Sequence, residues 1–63
     1  MTHLILTPNV ADIDGIYQQL IEIHDGKSAD QSLMINARLI LILINHIGDE
    51  RVLSEALALA DSP

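Results

Sequence analysis

Residues 28–49 read SADQSLMINARLILILINHIGD, and this stretch decides the fold. Ser28 with Gln31 three positions on matches a capping box, in which each side chain satisfies an amide that the helix start would leave orphaned. Gly48 suits the left-handed position just past a helix end, and Asp49 suits the cap of a following helix. The spacing predicts one helix over 29–47. At about 100° per residue, Leu33, Ala37, Ile40, Leu41, Ile44 and Ile47 share one side of it. Ile35, Leu39, Ile42, Leu43 and His46 share the other. Arg38 and Asn45, seven apart, lie on one seam between the stripes, and Asn36 lies on the opposite seam. A surface helix needs a single apolar stripe. A helix with two must be sandwiched, so this one is predicted to be the central element.

Two shorter helices are predicted to flank it. Over about 12–25, Ile13, Ile16, Tyr17, Leu20, Ile21 and His24 follow the three-four spacing of one face. Asp12 or Asp14 would cap that helix, and Gly26 would end it. Over about 50–60, Val52, Leu53, Ala56, Leu57 and Ala60 make an apolar face behind the Asp49 cap. The connections are about two to four residues, which favours antiparallel neighbours. Residues 1–11 lack helical periodicity, and Thr7-Pro8-Asn9 reads as a turn. Leu4-Ile5-Leu6 would be an extended arm lying on the helices or, less favoured, a strand pairing with a twin chain. The expectation is a single all-α domain over 1–63, a compact three-helix unit with an extended N-terminal arm and helix 2 at its centre.

Composition narrows the function. The chain has 63 residues, no cysteine, one aromatic residue (Tyr17) and 49% hydrophobic residues. Its mean hydropathy is +0.33. Domains of this size bury only about 60% of the surface of their unfolded form and lean on disulfides, metals or oligomerisation. Without cysteine, disulfides and thiolate metal sites are excluded. The formal net charge is −6, with Lys27, Arg38 and Arg51 the only Lys and Arg residues. This argues against nucleic acid, which needs clustered Lys and Arg, and against an anionic membrane surface. No run approaches the roughly 20 apolar residues of a membrane span, and no basic leader precedes Leu4. A soluble, cytoplasmic protein is expected.

The second apolar stripe predicts a partner. A monomeric three-helix unit would leave Ile35, Leu39, Ile42 and Leu43 partly wet, and each large aliphatic side chain gains about 1.5–3 kcal/mol on full burial. Exposed together, they would form a patch of the kind that marks association. A twofold homodimer with these four residues at its interface is the simplest expectation.

Candidate chemistry is sparse. His24 and His46 each precede the end of a helix, where an imidazole can bond the last carbonyls and suits the negative end of the dipole. The alternative, metal ligation with nearby carboxylates, lacks any His pair at i, i+4. Asn36, Arg38, Asn45 and His46 are polar residues on an otherwise apolar helix. They would either satisfy neighbouring groups or fix register, or else form a small pocket in which Arg38 holds an anionic ligand. Asp12 and Asp14 read as helix-start carboxylates rather than a catalytic pair. No nucleophile–base set and no Gly-rich phosphate loop is present. The expectation is no enzyme activity, no cofactor and no metal site, with a metal-dependent enzyme the weakest alternative.

These residues carry a resemblance. Pro8-Asn9, Asp12, Asp14, Tyr17, Leu20, His24, Gly26, Ser28, Asn36-Ala37-Arg38-Leu39, Asn45-His46-Ile47-Gly48-Asp49, Leu53 and Ala56-Leu57 resemble the pattern of a small bacterial family of uncharacterised proteins, a domain of unknown function. The resemblance spans nearly the whole chain, and the Asn-Ala-Arg-Leu and Asn-His-Ile-Gly-Asp strings are its most specific parts. It implies no activity. It implies an accessory place beside a flavin-dependent aromatic hydroxylase as enzyme partner.

Overall fold

The computed structural model describes residues 3–63. They form α1 (Ile13–His24), α2 (Ala29–Ile47) and α3 (Glu50–Ala60), with no strand among the described residues. This is the all-α three-helix unit that the sequence predicts. Met1 and Thr2, the start of the predicted arm, lie outside the described residues.

The helix ends are written in local chemistry. Of the two candidate caps for α1, Asp12 is the one used: its Oδ1 accepts from Gly15 N at 3.0 Å. The chain leaves α1 through Gly26 at φ +71°, a left-handed conformation that costs glycine little. The predicted capping box of α2 is complete. Ser28 N donates to Gln31 Oε1 at 2.9 Å, and Gln31 N donates to Ser28 Oγ at 3.2 Å. Gly48, at φ +67°, ends α2 with its N–H donating to Ile44 O at 3.0 Å. Asp49 then starts α3, its Oδ1 accepting from Arg51 N at 3.0 Å and Val52 N at 3.1 Å. Asp49→Ala strands both donors. It is expected to destabilise the protein by about 1–2 kcal/mol, read as a lower urea midpoint at unchanged slope.

Packing follows from the stripes. Leu39 of α2 sits with Ile16, Leu20 and Ile23 of α1, and nearer the loop His24 meets Asn36. Earlier residues of α1 thus face later residues of α2, which makes the pair antiparallel. Because His24 stands opposite Asn36, residues 29–35 of α2 run past the end of α1, by about 10 Å at 1.5 Å per residue. On the other flank α3 turns back along the C-terminal half of α2. Ile40, Ile44 and Ile47 face Leu53, Leu57 and Ala60 across an open groove of about 270 Å³.

The N-terminal segment reaches α3. Leu4 N donates to Glu55 Oε2 at 3.0 Å, and His3 Nδ1 lies 3.7 Å from Glu55 Oε1. Glu55 is one turn beyond Val52, so the segment crosses the α3 face that carries Val52. That valine, 3% exposed, is the only buried residue among those described.

Candidate functional site

His24 is the best-placed polar side chain between two helices. It ends α1, so its ring leans back on the last turn, and Nδ1 lies 2.7 Å from Leu20 O. A carbonyl only accepts, so Nδ1 carries the proton and donates. Nε2 lies 2.8 Å from the Asn36 side-chain amide of α2, at Oδ1. An imidazolium donates to that oxygen; a neutral ring accepts instead from the amide turned to present its NH₂. Either way one imidazole ties the end of α1 to the second turn of α2. Leu20 O lies one residue before the last four carbonyls of α1, so the Nδ1 bond is not the expected one to an orphaned helix-end carbonyl, and a second bond, across helices, accompanies it. No motif in the sequence joins His24 to Asn36. The signal that links them is that each is a polar residue beside an apolar face, on consecutive antiparallel helices. Tyr17, Leu20 and Ile21 complete a shallow cleft around the pair, with Tyr17 60% exposed.

The four residues read as an anionic-ligand set do not converge within one chain. Asn36 faces α1, engaged with His24. Arg38 and Asn45 lie together on a seam about 160–180° around the helix from Asn36, and both are exposed. His46 is exposed one residue before the end of α2. Among the described residues no group of three or more His, Asp or Glu side chains is positioned to hold a metal ion. No described helix is long and apolar enough to cross a membrane.

Apolar surface dominates the rest. Of the four residues expected at a dimer interface, Ile35 and Leu39 are half-buried, on the side of α2 that α1 leans against. Ile42 and Leu43 are exposed. The opposite stripe is the more open one: Leu33 is 67% and Leu41 65% exposed, with Ile40 exposed between them. The two stripes of α2 were both legible in sequence. Which one α1 would take was not, because each has the same aliphatic character.

Residues 4–62 match the model of a family described as a protein of unknown function (DUF2783). The chain belongs to this family. No curated protein and no solved structure matches it. The DUF2783 match starts at Leu4, the residue bonded to Glu55, and continues through all three helices. The match therefore takes in all three helices and the N-terminal segment bonded to Glu55.

Proposed function

We infer that this DUF2783 protein is a non-enzymatic interaction module, a small accessory subunit whose fold is completed by protein contact. The observation that supports this is its surface. The chain exposes 5588 Å², where a closed fold of its mass exposes about 4,000 Å². It hides about 44% of the area of the extended chain, against about 60% for a self-sufficient domain of this size. Among the described residues, seventeen large hydrophobic residues, from all three helices and the N-terminal segment, are exposed. Apolar exposure on this scale is a feature of association surfaces.

The enzyme-partner reading places the protein beside a flavin-dependent hydroxylase. Its open α1 face, with Ile13, Ile16 and Tyr17 exposed, would dock on an apolar patch. The net charge of −6 favours a basic rim around that patch. The test is affinity purification of the tagged chain from its native host after mild cross-linking. An enzyme recovered in fixed stoichiometry supports the accessory role; recovery of the chain alone argues against it.

A further inference from the structure

We propose that the open face of α2, continued by the α2–α3 groove, is a twofold self-association surface, with α2 crossing its counterpart at Ala37. This rests on the interaction-module reading and names one occupant of the exposed surface: a second copy of this chain.

Three observations converge on it. The first is the pattern along α2. Ala37 is the small residue of the open stripe and sits near the middle of a helix spanning Ala29–Ile47. Small residues at a crossing point let two backbones approach. Large residues stand symmetrically about it: Leu33 four before and Leu41 four after, Met34 three before and Ile40 three after, all exposed. A twofold axis at Ala37 with the second helix reversed sets Leu33 against the second copy's Leu41, and Met34 against its Ile40. Each pairing then occurs twice, as an isologous interface demands.

The second is shape. Residues 29–35 project past the end of α1, so Leu33 and Met34 stand clear of their own chain. Beside Ile40, the α2–α3 groove is open, about 270 Å³ in volume and lined wholly by apolar side chains. The same reversal carries the projecting end of one α2 toward the groove of the other chain. Leu57, 64% exposed on the groove's α3 wall, would be covered by it.

The third is area. The excess exposure is about 1,600 Å² per chain over a closed fold. That excess is spread over all three helices and the N-terminal segment, and a contact covering half of it on each of two chains removes about 1,600 Å², the size of a standard specific interface. Charge does not obstruct the contact. Between Leu33 and Ile47 the only charged residue is Arg38, on the seam and off the open stripe. Asp30, in the first turn of α2, shares the open stripe and lies at the edge of the contact, and each chain carries a net charge of −6, so added salt is expected to tighten the dimer.

The experiment is sedimentation equilibrium of the full chain, with Leu33→Glu and Leu6→Glu beside it. Leu6 is 74% exposed, the most exposed large hydrophobic residue described, and lies off the proposed face. The expected result is a dimer for the parent and for Leu6→Glu, and at least a hundredfold weaker association for Leu33→Glu. Because the natural chain has no cysteine, a second reading does not depend on the stability of a charged variant. Ala37→Cys is expected to oxidise to a covalent dimer, and Ile42→Cys, on the opposite flank of α2, is not. A dimer that survives Leu33→Glu, or that cross-links through Ile42→Cys rather than Ala37→Cys, overturns the proposal. So does a parent that sediments as a monomer at high micromolar concentration. If that monomer still co-purifies with an enzyme in fixed stoichiometry, the interaction-module reading survives; if it folds stably and binds nothing, both fall.

Discussion

A hundredfold dilution is expected to lower the stability of this protein by about 2.7 kcal/mol per dimer. With an unfolding entropy of about 2.1 cal/mol/K per residue, that moves the melting temperature down by about 10 °C. A monomer of the same sequence would show no shift. The effect is large because little of the fold is closed within one chain. Among the described residues Val52 alone is buried, and other side chains such as Leu20, Ile35, Leu39, Ile44 and Leu53 are half-buried. Backbone ordering costs about 1–2 kcal/mol per residue, and in the proposed dimer the surface covered by the second copy would offset part of it. Circular dichroism melts over a concentration series read the shift directly. Superimposable melts would mean that the helices are held by intrachain contacts alone, and would remove the thermodynamic basis for association.

What the sequence made legible is the chemistry that acts within one turn or one short loop. Ser28 and Gln31 announce the start of α2 because both halves of a capping box lie within four residues. Gly48 and Asp49 announce its end and the next beginning, since a left-handed glycine and a carboxylate cap are local requirements. Both stripes of α2 were equally readable, as periodicity is a property of one helix. The choice between them is a property of two. Ile35 and Leu39 against Leu33 and Leu41 differ little in volume and not at all in polarity. What selects the first pair for α1 is the length of the 25–28 connection and the register set where His24 meets Asn36. Asn36, Arg38, Asn45 and His46 illustrate the same boundary. Their polarity on an apolar helix was plain, and so was the separation of about 160–180° between Asn36 and the seam of Arg38 and Asn45; what depended on a second helix was which of them α1 would engage. Once α1 takes Asn36, its distance around the helix from Arg38 and Asn45 separates them.

Val52→Ala is expected to be among the most damaging conservative changes available in a single chain. Val52 lies between two anchored points. Its own N–H donates to the Asp49 carboxylate at 3.1 Å. One turn later Glu55 holds the N-terminal segment through Leu4 N at 3.0 Å. Between these two anchored points, the site has limited freedom to collapse around a lost side chain. Removing two methyl groups forfeits about 1.6 kcal/mol of transfer free energy, and the unfilled space adds to it. The expected loss is about 2–3 kcal/mol, a large share of the roughly 3–5 kcal/mol that a core of this size supplies. Leu41→Ala makes the informative comparison. Leu41 is 65% exposed in its own chain, so a monomer would register its truncation at about 0.5 kcal/mol or less. A dimer packed across α2 would register about 2 kcal/mol or more for each chain. Denaturation of the two variants at one protein concentration therefore separates two origins of stability. A large effect at Val52 with none at Leu41 places it inside the chain, and comparable effects at both place it across the pair.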